Sequence, residues 1–295
     1  MILKGIFPPM ITPFTENGEV DYKAFQANTE KWIESGLSGL VVLGSNSETV
    51  LLNSEEKIKL IDITVKHAQG KPVICGTGVE TTTETIELTN KAADLGVDAA
   101  LVRTPHFYGS DMNTSALMKY YTEIADKSRI PILVYNVSKF THVNVGADLI
   151  EKLADHPNII GMKDSNGDMI QLANFIRVTK GKDFSVFVGT ASALFPALCL
   201  GASGGVLALA NCNPKECVEV YDSFVRGDIE KARDIYYKMM PVNAAVTAKY
   251  SIAGLKYACS LQGFDGGFVR NPLQELSEDG RKIIEKLLTS IGLLQ

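Results

Sequence analysis

From Gly5 to Leu209 the chain alternates between two patterns of apolar and polar positions. Short, continuously apolar runs rich in β-branched residues stand at Gly5–Ile11, Gly39–Leu43, Pro72–Cys75, Ala99–Val102, Ile130–Tyr135, Ile159–Met162, Phe184–Val188 and Gly205–Leu209. Unbroken apolarity over so few residues is the pattern of strands buried on both faces. Between them lie stretches with helical spacing, among them Asp21–Ser35, Ser54–Gln69, Thr82–Leu95, Ser115–Lys127, Gly146–Ala154 and Met169–Thr179. Several open with capping chemistry: Asn53-Ser54-Glu55-Glu56 supplies a cap followed by acidic residues, and Thr81–Glu84 fits a capping box.

Strands that alternate with helices pair in parallel through right-handed crossovers. Eight such units predict a (β/α)8 TIM barrel. A doubly wound open sheet is the runner-up; it would want a glycine fingerprint after the first strand, and Phe7–Thr12 has none. From Lys215 to Gln295 no clear strand-like run recurs, and helical spacing dominates in Glu216–Arg226, Ile229–Met240, Ala248–Gln262 and Glu278–Leu288. The expected organisation is a barrel over residues 1–214 that carries the active site, and a C-terminal helical extension over 215–295 packed on it.

Composition narrows the function classes. The 295 residues are 45% hydrophobic and 21% charged, as in a chain able to bury a sizeable core. The net charge of -5, without a basic run or stripe, leaves out the footprint of a nucleic-acid binder. No apolar run approaches the roughly 20 residues of a membrane helix. The N-terminal MILKGIFPPMITPF has neither signal-peptide nor transit-peptide layout, so a cytoplasmic location is expected. Five scattered cysteines (Cys75, Cys199, Cys212, Cys217, Cys259) argue for a reducing compartment over a disulfide framework. With no CxxC or HExxH, and with His67, His106, His142 and His156 at no metal-ligand spacing, neither a metal nor another cofactor is expected.

In such a barrel the chemistry sits where the strands end. Lys163 closes the sixth run, Ile159-Ile160-Gly161-Met162. A lysine desolvated there would lose the preference for its ammonium form and become able to attack a carbonyl. The alternative is a lysine paired with Asp164 at a strand end. Tyr135 ends the neighbouring fifth run and either shuttles protons beside Lys163 or packs at the barrel mouth. Gly44-Ser45-Asn46-Ser47-Glu48 follows the second run. Its hydroxyl, amide and N–H groups suit a carboxylate, although an ordinary polar loop with capping residues reads the same way.

Together these elements resemble the family of dihydrodipicolinate synthase and N-acetylneuraminate lyase over nearly the whole chain. The carriers are Phe7–Phe14 (FPPMITPF), Gly44–Glu48 (GSNSE), Tyr135-Asn136-Val137 and Gly161–Asp164 (GMKD). Within the family the look is nearest to 4-hydroxy-2-oxoglutarate aldolase, through His156–Asp168, Gly204–Asn211, Pro241–Thr247 and Asn271–Ser277. The resemblance implies Lys163 as the Schiff-base lysine and Tyr135 as the proton relay. It further implies Ser45 and Asn46 on the pyruvyl carboxylate, Ser165 on a substrate hydroxyl, backbone around Gly189 and Leu207 lining the pocket, and a homotetramer. The departures are specific. Phe140 and Ser138 stand where the synthases carry an arginine and a proline, which weighs against their condensation. Phe107 holds the place of the tyrosine that those enzymes borrow from a neighbouring subunit, with Tyr108 adjacent as an accessory candidate. Thr190-Ala191 replaces the acidic pair of the sialic acid lyases, and Ser47 replaces the usual loop glycine.

The expected activity is class I lyase chemistry on a small 2-oxo acid: cleavage of a 4-hydroxy-2-oxo acid, best 4-hydroxy-2-oxoglutarate, to pyruvate and an aldehyde such as glyoxylate. The alternatives are a 2-keto-3-deoxy sugar acid aldolase, a dihydrodipicolinate synthase-type condensation, a dehydratase using the same imine, and a non-catalytic barrel that binds 2-oxo acids.

Overall fold

The computed structural model describes residues 2–294. Eight parallel strands follow one another around a ring: β1 (Gly5–Phe7), β2 (Leu40–Val42), β3 (Val73–Gly76), β4 (Ala99–Arg103), β5 (Ile132–Asn136), β6 (Ile159–Asp164), β7 (Ser185–Val188) and β8 (Gly204–Val206). β1 pairs with β8, and the ring closes just past β1, where Met10 N–H donates to Val41 O at 2.9 Å and Val41 N–H donates to Pro8 O at 3.1 Å. The expected first run is cut short after Phe7 because Pro8 and Pro9 have no N–H to give a ladder. The eighth ends at Val206, since Ala208–Asn211 winds into a 3-10 turn.

The continuous apolarity of the runs has a direct cause. Phe7, Val41, Ile74, Leu101, Leu133, Phe187 and Val206 form one buried cluster inside the ring, with Phe7 and Phe187 edge to face at 5.5 Å. The alternate positions, such as Ile6, Val42, Cys75, Val102, Val134, Met162 and Val188, belong to the larger layer between strands and helices. Neither face meets water, so these positions are apolar, and the polar residues of the strands gather at their ends.

The helices between the strands are α1 (Tyr22–Glu34), α2 (Ser54–His67), α3 (Thr82–Asp94), α4 (Thr114–Lys127), the single turn α5 (Ser138–Thr141), α6 (Ala147–Leu153), α7 (Met169–Val178) and α8 (Leu194–Leu200). The Asn53–Glu56 capping box is complete, with both reciprocal bonds at 2.9 Å. Thr81 caps Glu84 N–H at 3.1 Å, but the Glu84 carboxylate takes the Thr81 hydroxyl and not its N–H. Sequence periodicity missed α8. Its Leu-Phe-Pro-Ala-Leu-Cys-Leu has no polar face, and Pro196 is tolerated because it lies in the first turn.

The chain continues through α9 (Pro214–Val225), α10 (Ile229–Asn243), a π-helical segment at Ala244–Lys249, α11 (Ser251–Leu261) and α12 (Glu278–Ser290). The expected boundary between residues 214 and 215 falls in the first turn of α9. That helix packs on β1 and α8, so it completes the ring of barrel helices. The helices after it cover the turns that follow β7 and β8, at the end of the barrel where the strands terminate. Among the described residues, no helix is long and apolar enough to cross a membrane. The five cysteines are free.

Candidate active site

β5 and β6 run in register, with Tyr135 beside Lys163, and strand alternation turns both side chains into the ring. Lys163 is 3% exposed and Tyr135 5%. The Lys163 Nζ lies 4.3 Å from the centre of the Tyr135 ring. The competing reading, a Lys163–Asp164 pair, is not what forms. Asp164 points the other way, where its Oδ1 accepts from Asn136 Nδ2 at 2.7 Å and Gln171 Nε2 at 3.3 Å. Among the described residues Lys163 has no carboxylate within ion-pair distance.

The Tyr135 hydroxyl lies 3.3 Å from Ser45 Oγ, which ties the fifth strand to the loop after β2. Burial alone would raise the Tyr135 pKa; the Lys163 charge and the Ser45 and Ser165 hydroxyls pull it down, and the net direction is below the ordinary phenol. A phenol so placed is suited to giving up and retaking a proton.

The Gly44–Glu48 loop gets its shape from backbone geometry. Leu43, the residue after β2, sits at φ 56, an uncommon conformation for leucine, and Gly76 of β3 makes room for it: a Cβ at Gly76 would lie 2.1 Å from Leu43 O. Ser45–Ser47 then forms a 3-10 turn. Ser47, standing where the resemblance expects glycine, needs no left-handed conformation; its hydroxyl donates to Met10 O at 2.6 Å. The left-handed residue is Glu48, at φ 55. Its carboxylate is buried and meets Lys256 Nζ of α11 at 2.5 Å, while Arg270 N–H donates to it at 2.9 Å. The helical extension thus holds the far end of the loop whose near end carries Ser45 and Asn46.

Ser45, Asn46, Tyr135, Lys163, Ser165, Gly189 and Thr190 all line one cavity of about 280 Å³. Gly189 makes it possible for Ser165 to reach that wall, since a Cβ at 189 would lie 1.8 Å from Ser165 Oγ. Around Leu207 the lining residue is the next one, Ala208, while the Leu207 side chain is buried and its N–H is given to Phe7 O at 2.9 Å. Tyr108 is 69% exposed and stacks edge to face with Phe107 outside its own chain's cavity, as a residue offered to a neighbouring subunit would be; the chain after β4 turns outward on the Glu80 carboxylate, which accepts from His106 and Phe107 N–H. His142 is likewise outside.

The sequence reading missed one whole wall. Val246, Thr247, Ala248, Ser251 and Ile252 come from the π-helical segment and the start of α11. The available signal was Pro241 inside α10, since a proline within a helix removes a backbone bond, and wide helical turns gather at functional sites. Among the described residues, no group of three or more His, Cys, Asp or Glu side chains is placed to hold a metal ion.

Comparison with known proteins adds the lineage. Residues 2–291 match the model of the dihydrodipicolinate synthetase family. The 4-hydroxy-tetrahydrodipicolinate synthase of Thermodesulfovibrio yellowstonii is 37% identical over the full length of both chains. That of Methanospirillum hungatei is 35% identical over 98% of this chain and 99% of its own. Among solved structures, dihydrodipicolinate synthase from Thermotoga maritima superposes over 100% of both chains with a TM-score of 0.94 at 31% identity. The enzyme from Acinetobacter baumannii, complexed with pyruvate, does so over 99% of this chain and 100% of its own, with a TM-score of 0.94 at 30% identity. Whole-length agreement in family, sequence and structure means that this chain belongs to the dihydrodipicolinate synthetase family.

Proposed function

We propose that the chain is a pyruvate-dependent Schiff-base lyase or synthase in which Lys163 bonds to the keto carbon of a 2-oxo acid. The observation that carries this reading is the buried Lys163 facing Tyr135, with Ser45 Oγ 3.3 Å from the phenol, in a cavity that no carboxylate lines. The relatives' chemistry and the pyruvate in a structural neighbour support it. In this mechanism the Lys163 amine adds to the keto carbon, and the carbinolamine loses water as Tyr135 moves the proton. The carboxylate rests on Ser45, Asn46 and nearby N–H groups. The resulting iminium is the electron sink. In the cleaving direction the C3–C4 bond breaks, its electron pair passes to the imine nitrogen as an enamine, and the 4-hydroxyl proton goes to Tyr135 as the aldehyde leaves. Protonation and hydrolysis of the enamine release pyruvate. In the joining direction the enamine attacks the aldehyde carbon, and no cofactor is called for in either.

For the aldehyde, the relatives support a synthase-type condensation with an amino-aldehyde acid better than the cleavage of 4-hydroxy-2-oxoglutarate expected from the motifs. One observation keeps the second reading in view: Phe140, not a cation, lines the cavity where the resemblance puts the synthase arginine. An aldehyde panel separates them. Pyruvate consumption with the amino-aldehyde acid, and none with glyoxylate, supports the condensation. Pyruvate release from 4-hydroxy-2-oxoglutarate with no condensation supports the aldolase. Activity on 2-keto-3-deoxy sugar acids alone would replace both, and binding of pyruvate without turnover of any of them would contradict the enzymatic reading.

A further inference from the structure

We infer that Thr12 and Ser47 are positioning residues for the carboxylate of the 2-oxo acid: their hydroxyls clasp the loop that carries Ser45 and Asn46 to the segment after β1, and so give the site its preference for an acid over a bare carbonyl. The inference rests on the Schiff-base reading above and deepens it by naming what holds the carboxylate end in place. Thr12 and Ser47 are buried, and neither lines the cavity. Their two bonds run in opposite directions between the same two segments. The Ser47 hydroxyl donates to Met10 O at 2.6 Å, and the Thr12 hydroxyl donates to Ser47 O at 2.9 Å. The Ser47 N–H closes the turn on Gly44 O at 3.0 Å. With its N–H, its carbonyl and its hydroxyl all committed, Ser47 has little freedom to rotate, and Asn46 is joined to it directly.

The segment that receives the clasp is itself held on both sides. Towards β2, Met10 N–H donates to Val41 O at 2.9 Å. Towards β8, Asn211 spans the segment: its Oδ1 accepts from Ile11 N–H at 3.1 Å, and its Nδ2 donates to Pro9 O at 3.0 Å. Pro8 and Pro9 end the β1 ladder, so the Met10 carbonyl meets no backbone N–H among the described residues and is left for the Ser47 hydroxyl. The loop is therefore tied to the closure of the barrel and not to another loop that could move with it. Glycine at 47, as the resemblance expects, would carry only the Thr12 half of the clasp. A loop ordered in advance spares the substrate the entropy of ordering it, and that saving falls to the part of the substrate the loop touches, its carboxylate.

The test compares pyruvate with acetaldehyde, which presents the same methyl and carbonyl groups and lacks the carboxylate. The whole protein is incubated with graded concentrations of each, borohydride is added, and the carboxyethyl and ethyl adducts on Lys163 are counted by peptide mass spectrometry. The wild type is expected to saturate at lower pyruvate than acetaldehyde. Ser47→Ala and Thr12→Val each remove one hydroxyl. Each is expected to raise the half-saturating pyruvate concentration about three- to tenfold, the worth of one hydrogen bond, and to move that of acetaldehyde by less than about twofold. Thr12→Ser keeps the hydroxyl and is expected to hold the wild-type value. The two variants break different halves of the clasp, so either one decides if the other fails to fold by circular dichroism. An unchanged pyruvate value in a folded variant overturns the inference. So does an equal rise for both carbonyls, which would mark a general loosening of the fold, or a wild type that takes acetaldehyde as well as pyruvate. No adduct of either on Lys163 in the folded wild type overturns the Schiff-base reading itself, and the positioning role with it.

Discussion

At the scale of single residues, the account turns on Tyr135 as a proton carrier. Its ring is buried, and its hydroxyl meets Ser45 at the floor of the cavity. Tyr135→Phe keeps the ring that packs against the strand interior and removes only the proton-bearing oxygen. Turnover is expected to fall by about 10²- to 10⁴-fold, with little change in the unfolding midpoint. A loss of only a few-fold in steady-state rate would show that another group carries the proton. That Lys163 and Tyr135 meet in one cavity was legible in the sequence because strand ends in a barrel point at its mouth, and a charged or phenolic residue closing an apolar run stands out there. The turns that place Leu207 and Tyr108 were not. Whether a strand-end residue presents its side chain, its backbone or neither depends on the turn that follows, and no local pattern announced the 3-10 turn after β8 or the Glu80 anchor after β4.

At the scale of elements, two buried polar arrangements hold the site from behind. The first is the Glu48–Lys256 pair, with side chains 0% and 2% exposed. Burial lowers the Lys256 pKa while the Glu48 charge pulls it back up. Lys256→Met would strand the Glu48 carboxylate in the core, at a cost on the order of 3–5 kcal/mol, and loosen the loop that carries Ser45 and Asn46. Chemical denaturation should show that loss, and KM for pyruvate should rise. The double variant Glu48→Gln/Lys256→Met should recover much of the stability, and equal destabilisation of single and double variants would deny that the pair is coupled. The second is Asp164. Burial pushes its carboxyl up to about 6, the Asp168 charge adds to this, and donors from Asn136, Gln171 and Asn166 hold it back. Its folded pKa is above the ordinary 3.8, so the folded protein binds the proton more tightly than the unfolded one. Stability should therefore fall as pH rises from about 4 through about 6, then level off. Asp164→Asn keeps the oxygen that accepts from Asn136 and Gln171 and drops the buried charge. Thermal unfolding should find the variant more stable than wild type at pH 7.5 and the advantage gone near pH 4; an advantage independent of pH would exclude Asp164 as its source. These braces were hidden in the sequence because Glu48 and Lys256 are separated by most of the chain, and nothing near either names the other.

At the scale of the whole molecule, the barrel itself was legible because the short apolar runs that alternate with helices number eight, and the first lacks the glycine fingerprint that a doubly wound sheet would want. The role of the C-terminal helices was harder to see. Their periodicity gives helices, but not that the π-helical segment and α11 would close one wall of the cavity and clamp its loop. The family resemblance implies a homotetramer, and the exposed Phe107 (76%) and Tyr108 (69%) at the barrel mouth offer apolar surface for such self-association. Sedimentation should find a species four times the 32.0 kDa chain mass, and a monomer at micromolar concentration would contradict it. The central claim, however, is covalent and belongs to one atom, the Nζ of Lys163. Incubation of the whole protein with pyruvate, borohydride reduction and peptide mapping test it directly. The account predicts one pyruvyl adduct, on Lys163, absent from Lys163→Ala. No adduct in the folded protein, or an adduct that settles on Lys139, Lys256 or another lysine, would contradict it.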